Sequence, residues 1–122
     1  MIVGRFNVVD GIEPTKTVEG YTLYNNSKYD IVLHPNDTYY IDIGVDITLE
    51  DGEIAILHTV RPTIFVSEVI ESSSRIRFYI INITNFTKII EPKEKIAKIF
   101  FIRGLTSEIP CDKLSKVEAV AA

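Results

Sequence analysis

Few side chains in this sequence have the chemistry of an acid/base or metal site, and the candidates are His34, His58, Asp42 and Asp46. The two aspartates are four residues apart in a run that alternates apolar and polar residues, which places both carboxylates on one face of a β-strand. That face is the polar side of an amphipathic strand, so solvated carboxylates are the better interpretation. The histidines lack the spacing of metal ligands. We therefore predict no metal site, no bound cofactor and no catalytic residue in this group.

Catalytic signatures of other kinds are missing from the sequence. It contains no Gly-x-Ser-x-Gly, His-Glu-x-x-His or Gly-rich phosphate loop. Cys111 is the single cysteine, so an intrachain disulfide is excluded. The net charge of −4 argues against binding to DNA or RNA, because affinity for nucleic acids rests on Lys and Arg side chains that neutralise phosphates. We expect no nucleic-acid partner.

The N-terminal residues 1–10 alternate in polarity and include Arg5, so they lack the apolar core of a signal peptide. No later apolar run reaches the roughly 18 residues of a membrane-spanning helix. We expect a cytoplasmic protein without a membrane partner. In that compartment the Asn-x-Ser/Thr triplets are chance matches rather than glycosylation sites, and they begin at Asn25, Asn36, Asn82 and Asn85.

The clearest structural pattern is the run from Ile41 to Glu50, in which Ile, Val and Leu occupy every second position. Such alternation predicts a strand with one buried face. Asp51-Gly52 then predicts a tight turn, and Ile54 to Leu57 predicts the return strand of a hairpin.

Further strands are predicted where short runs rich in Ile, Val, Phe and Tyr lie between turn residues. These runs are residues 2–9, 31–33, 63–70, 76–83 and 96–102. Many short strands at regular spacing predict one all-β domain with a sandwich, jelly-roll or barrel architecture. No internal repeat is evident.

Several segments resemble, in the same order, the motifs of the trimeric dUTPase family. Gly20–Tyr24 resembles the opening Gly-Tyr-Asp-Leu motif, and Arg77–Asn82 resembles the third-motif strand that ends in Asn. Glu94–Phe100 resembles the Gly-Asp-Arg-Ile-Ala-Gln segment, and Leu33-His34-Pro35 follows the opening motif in its proper place. The resemblance implies a dUTPase-like distorted jelly roll, or β-clip barrel, over residues 1–104.

The resemblance does not extend to the family's catalytic residues. In dUTPases a β-hairpin reads the uracil and carries an Asp that orients the attacking water and a Tyr beneath the deoxyribose, whereas the matching stretch here offers Glu71 and no Tyr. The Arg-Ser-Gly motif that holds phosphates falls at Arg61-Pro62, and Pro62 has no N–H to donate. The family's remaining Asp and Gln positions are occupied by Thr22 and Lys98.

We therefore expect a non-catalytic, dUTPase-like protein of viral, phage or mobile-element origin, located in the host cytoplasm. It would act as a homotrimeric protein-interaction or assembly module whose partners are itself and another protein. The alternative is a divergent nucleotide-binding or dUTP-hydrolysing enzyme that uses Arg61, Glu71 and Lys98 in a rearranged pocket. We expect neither nucleotide binding nor a cofactor.

Runs of consecutive apolar residues support the expectation of a trimer. Ile80-Ile81, Ile89-Ile90 and Ile99–Ile102 predict strands that are covered on both faces, and a small domain has little interior to provide the second cover. A neighbouring subunit is the natural source. Residues 105–122 lack the glycines of the family's C-terminal lid, and we predict that they form an arm exchanged between subunits.

Overall fold

The computed structural model describes residues 1–103, and within this range the chain forms twelve β-strands. They are β1 (Ile2–Val3), β2 (Phe6–Val8), β3 (Thr15–Lys16), β4 (Tyr21–Tyr24), β5 (Ile31–Leu33), β6 (Thr38–Ile47), β7 (Glu53–Thr59), β8 (Ile64–Phe65), β9 (Ser67–Ile70), β10 (Ser74–Asn82), β11 (Lys88–Ile90) and β12 (Lys95–Arg103). The predicted C-terminal arm, residues 105–122, lies outside the described residues. No helix in the described range is long and apolar enough to cross a membrane.

The strands pair antiparallel in two five-stranded sheets and one small sheet. The first sheet has the order β1-β2-β6-β10-β8, and the second has the order β3-β4-β12-β7-β9. The small sheet consists of β5 and β11. The predicted all-β fold class is confirmed.

The two five-stranded sheets enclose a single hydrophobic core, so the described residues form one domain. The alternation in β6 has the predicted effect, because Ile41, Ile43, Val45 and Ile47 are each at most 3% exposed. Side chains of the neighbouring and facing strands complete this core, among them Leu23, Leu57, Ile76, Phe78, Ile80 and Ile99.

The predicted hairpin between β6 and β7 is wrong. The Asp51-Gly52 turn is present, but β6 pairs with β2 and β10 while β7 pairs with β12 and β9. Both edges of β6 are therefore occupied within the first sheet. Ala55 and Leu57 of β7 enter the same core from the second sheet. The turn thus carries the chain from one sheet to the other.

Two other predicted strands are each divided in two. Residues 2–9 form β1 and β2, which are joined by a tight turn at Gly4, where φ is +58°. Residues 63–70 form β8 in the first sheet and β9 in the second. Buried residues on both sides of the break, Ile64, Val66 and Ile70, keep the segment in the core as it changes sheets.

An internal repeat, which the sequence analysis missed, relates β4–β5–β6 to β10–β11–β12. In each unit a long strand follows a short one. The strands of one unit pair with those of the other: the first strand of each unit pairs with the last strand of the other, as β4 with β12 and β10 with β6, and the middle strands β5 and β11 pair with each other. The turns before β6 and β12 share a left-handed residue after Pro, with φ of 67° at Asn36 and 68° at Lys93, 57 positions later. Asp37 and Glu94 each accept a 2.9 Å hydrogen bond from the amide three residues earlier.

Buried asparagines fix equivalent corners of the two repeats. Asn25 and Asn82 are both fully buried, and each side-chain oxygen accepts the amide of the residue two positions later, Ser27 at 3.0 Å and Thr84 at 2.9 Å. Their Nδ2 atoms donate to backbone carbonyls across the corner. Two of the four Asn-x-Ser/Thr triplets thus have a structural role that the sequence analysis did not predict.

Candidate functional site

Arg61, the candidate phosphate ligand, is already paired with a carboxylate. It follows β7 in a turn in which the amide of Ile64 donates to the Arg61 carbonyl at 3.2 Å. Its guanidinium donates to Glu94 Oε2, while Glu94 Oε1 accepts the Glu91 amide at 2.9 Å. A phosphate at Arg61 would share the guanidinium with a carboxylate that the turn before β12 holds in position.

Glu71, the candidate for the water-orienting carboxylate, lies in a short link and not on a hairpin. Residues 71–73 connect β9 of the second sheet to β10 of the first, and all three are exposed. Ser73 anchors the link to the residues after β6, because its hydroxyl accepts a hydrogen bond from the Leu49 amide at 2.8 Å. Only three residues therefore separate β9 from β10.

The three residues of the alternative enzyme hypothesis are not brought together within one chain. Ile70, next to Glu71, lies opposite Ala55 of β7, whereas Arg61 follows the far end of that strand. At about 3.3 Å per residue, roughly 20 Å separates Arg61 from Glu71.

Lys98 occupies a polar row that crosses the second sheet. In β12 it lies between Thr22 of β4 and His58 of β7. The imidazole of His58 packs edge-on against the Phe100 ring, with centroids 5.3 Å apart. The row offers two basic side chains next to an apolar surface, without a carboxylate partner among these positions.

The two histidines do not form a common site. His58 lies in the second sheet, whereas His34 follows β5 of the small sheet and contacts the Thr87 hydroxyl at 3.2 Å through Nδ1. In residues 1–103 no group of three or more His, Cys, Asp or Glu side chains could hold a metal ion.

Asp42 and Asp46 lie on the predicted polar face of β6, about 40% exposed, and there they form ion pairs with arginines of β10 that the sequence analysis did not predict. Arg75 Nε donates to Asp46 at 2.5 Å and its Nη1 lies 3.4 Å from Asp42. Arg77 Nε donates to Asp42 at 3.1 Å. The sequence signal was the pair of arginines two residues apart on a strand, which the prediction did not connect with the aspartates. We name these four residues the ion-pair ladder.

The pKa of Asp42 lies below its ordinary value despite an opposing effect of burial. Partial desolvation acts to raise the pKa, but the Gly44 amide at 2.9 Å and the guanidinium groups of Arg77 and Arg75 stabilise the carboxylate more strongly. For Arg75, the hydrogen bond to Asp46 raises the pKa further above its ordinary range. The carboxylates of the ladder are paired with its guanidinium groups, so they are not a free acid/base pair.

The outward surface of the second sheet is apolar along three of its strands. Cross-strand pairs bring Phe100 next to Ile56, Ile102 next to Ile54, and Ile56 next to Val69. Val69 is 54% exposed and the other four are partly buried. We name these five residues the isoleucine face.

The outward surface of the first sheet carries a second apolar group beside the ion-pair ladder. Tyr40 and Tyr79 lie opposite each other with ring centroids 4.6 Å apart, and Ile81 lies opposite Phe65 on the next strand. Tyr40, Tyr79 and Phe65 are 44–54% exposed. We name these four residues the tyrosine face.

An open cavity of about 560 Å³ lies between residues 9–12, residues 25–28 and the turn at Pro92-Lys93. Asn26 closes one side by donating to the Asp10 carbonyl at 2.9 Å. Its lining contains Lys28 and Lys93 but no histidine, and none of the three enzyme candidates is part of it. The cavity therefore adds nothing to the alternative enzyme hypothesis.

The sequence matches no family model and no curated protein, but the structure matches solved dUTPases from staphylococcal phages. The dUTPase of phage phi11 of S. aureus, solved as a mutant to describe the coordination of a structural Mg(II) ion, has a TM-score of 0.73 at 14% identity; the match covers 86% of this chain and 93% of that chain.

Related phage enzymes give the same result. The dUTPase of Staphylococcus bacteriophage 80alpha, as a mutant with dUpNHpp, has a TM-score of 0.74 at 15% identity, with 86% of this chain and 92% of that chain covered. The resemblance of the motif order to dUTPases is thus matched by the three-dimensional arrangement of the strands. This chain has the dUTPase fold.

Proposed function

We propose that this protein is a dUTPase-like protein that does not hydrolyse dUTP and works as a homotrimeric protein-interaction or assembly module. The observation that carries the proposal is the link of residues 71–73 between β9 and β10. The dUTPase family reads uracil with a hairpin at this position, and a link of this length leaves no hairpin to contact the base. Glu71 is exposed at the corner between two sheets.

The phosphate side of the family's site is weakened as well. Hydrolysis of a phosphoanhydride requires an oriented water, a neutralised triphosphate and hydrogen-bond donors that are in register at the same time. Arg61 is neutralised by Glu94, and Pro62 offers no N–H. Although dUTPases combine residues from neighbouring subunits, three identical subunits without the hairpin cannot supply it to one another.

The alternative is a divergent nucleotide-binding or dUTP-hydrolysing enzyme, and the comparisons favour it in one respect. The solved neighbours are dUTPases, and several contain dUpNHpp. Calorimetric titration of the full chain with dUpNHpp and Mg²⁺ separates the two functions. We expect no binding heat up to millimolar nucleotide, whereas saturable, Mg²⁺-dependent binding would favour the enzyme.

Self-association is assigned to the isoleucine face. Its five apolar side chains lie on neighbouring strands and extend to the polar row at His58 and Lys98, so they form a continuous patch with a polar border. Patches of this kind on a small domain are covered in subunit contacts. Closed cyclic symmetry would cover one such patch on every subunit. The arm of residues 105–122 is part of the proposal as a further subunit contact.

Light scattering tests the assembly. We expect about three times the chain mass of 13.8 kDa for the intact protein. Ile56→Lys, which places a charge at the centre of the isoleucine face, should lower the mass to that of a monomer. The matched control is Val18→Lys, because Val18 is fully exposed and lies outside this face. A monomer for the intact chain would contradict the trimer.

The origin and the cellular role of the protein are also part of the proposal. Phage dUTPases with this fold are described as controlling the transfer of virulence genes by a G protein-like mechanism, which is a regulatory role beyond catalysis. We propose a phage or mobile-element origin and a regulatory or assembly role in the host cytoplasm. A pull-down from the native host with the intact chain would identify the partner.

A further inference from the structure

The outward side of β10 changes character along its length. Arg75 and Arg77 form the ion-pair ladder, and two residues further on Tyr79 and Ile81 belong to the tyrosine face. Because alternate residues of a strand share a face, all four side chains lie in one row on the surface of the first sheet. A charged half and an apolar half therefore adjoin each other without a break.

The tyrosine face has the size and composition of an interface centre. At about half exposure, three aromatic side chains of roughly 200 Å² each leave on the order of 300 Å² accessible, to which Ile81 adds a smaller area. A monomer's largest apolar patch is commonly of this size and often functional. Tyrosine is also enriched where binding energy concentrates. Within residues 1–103 the hydroxyls of Tyr40 and Tyr79 make no hydrogen bond to protein.

A second copy of the chain is a poor occupant for this surface. The two large sheets enclose one core, so the tyrosine face and the isoleucine face point to opposite sides of the domain. Contact between the tyrosine face of one copy and the isoleucine face of the next would be heterologous and would occupy the isoleucine face, on which the proposed trimer is built. In a closed trimer built on the isoleucine face, the tyrosine face remains accessible.

Arg77 offers hydrogen-bond donors to an occupant of this surface. Its Nε is bonded to Asp42, but neither of its Nη groups has a partner in the described part of the chain, and its side chain is 51% exposed. It lies on the same face as Tyr79, two residues away. A guanidinium with free Nη groups binds a carboxylate strongly.

We propose that the tyrosine face, together with Arg77, binds a segment of another protein in which an apolar side chain lies beside a carboxylate. The apolar side chain would pack on the rings of Tyr40 and Tyr79, and the carboxylate would accept hydrogen bonds from Arg77. The inference rests on the proposed function as an interaction module and specifies the partner's chemistry.

Selection from a library of short random peptides against the intact protein tests the inference. We expect enriched peptides to place Asp or Glu next to Leu, Phe or Trp, and Tyr79→Ser to weaken their binding by at least about tenfold. Arg77→Glu should remove the preference for acidic peptides. Val18→Ser, at an exposed apolar position outside both faces, is the matched control and should bind as the unmodified protein does.

The outcomes separate this inference from the proposed trimer. Peptides that bind Tyr79→Ser and Arg77→Glu unchanged would overturn the inference, as would a fall in the mass of Tyr79→Ser by light scattering, which would make the face a self-contact. If the intact chain is a monomer but acidic peptides still require Tyr79 and Arg77, the trimer fails and the inference stands. Tyr40→Ser, which removes the opposing ring, replaces Tyr79→Ser if the latter does not fold and should weaken binding in the same way.

Discussion

Replacing Asn82 with Ala tests whether buried asparagines hold the two repeats together. The Asn82 side chain donates to the carbonyls of Leu33 and Phe86 and accepts from the amide and hydroxyl of Thr84. The Thr84 hydroxyl can still donate to the Phe86 carbonyl, so the variant leaves the Leu33 carbonyl and the Thr84 amide without these partners. At about 1.5 kcal/mol for each polar group that loses its partner, the expected loss of stability is about 3 kcal/mol.

Chemical denaturation followed by circular dichroism measures this loss, with all variants at the same protein concentration because an oligomer's stability depends on it. Asn25→Ala removes the equivalent corner of the other repeat and should cost a similar amount. Asn85→Ala is the control, since Asn85 is exposed and should change stability by no more than about 0.5 kcal/mol. A loss below about 1 kcal/mol for Asn82→Ala would refute the structural role of the corner.

Three further predictions concern the ladder, the core and catalysis. The pKa of Asp42 is lowered in the folded protein, so its contribution to stability is present above the unfolded pKa near 4 and is lost as the pH falls through the folded pKa. At neutral pH, Asp42→Asn should therefore be less stable than the intact protein by about 0.5 kcal/mol. This difference should disappear in denaturation curves measured in acid. Ile43→Asp places a charge in the core and should abolish folding by circular dichroism, whereas Asp46→Asn should fold. Pyrophosphate release from dUTP with Mg²⁺ should equal the enzyme-free rate and should not change with Glu71→Gln; release that depends on Glu71 would show that the link supports catalysis.

Local pattern predicted the parts of the fold that depend on neighbouring residues. The alternation from Ile41 gave the correct buried face of β6, because side-chain direction follows directly from period two. Strand pairing was not accessible in this way. The segment after Asp51-Gly52 looks like a hairpin partner, but the choice between pairing and changing sheets depends on β2 and β10, which already occupy both edges of β6.

The ion pairs of the candidate sites were missed for the same reason. Arg61 meets Glu94 across 33 positions of sequence, and Arg77 meets Asp42 across 35. The partner of a charged side chain cannot be identified from the sequence until the register of the paired strands is known. The internal repeat, by contrast, does have a sequence signal. An Asn-x-Ser/Thr triplet is followed after ten residues by Pro and after twelve by an acidic residue, at Asn25 and again at Asn82.

The arrangement of the core explains how connections in a dUTPase framework can change while the fold is kept. The core side chains come from the strands and the buried asparagines from the strand ends, whereas Glu71 and Arg61 lie in connections that contribute little to the core. Shortening a connection between β9 and β10 therefore removes a base-binding hairpin without exposing apolar surface. What the chain retains outside its core are two apolar faces on opposite sheets, and these are the features on which an interaction module depends.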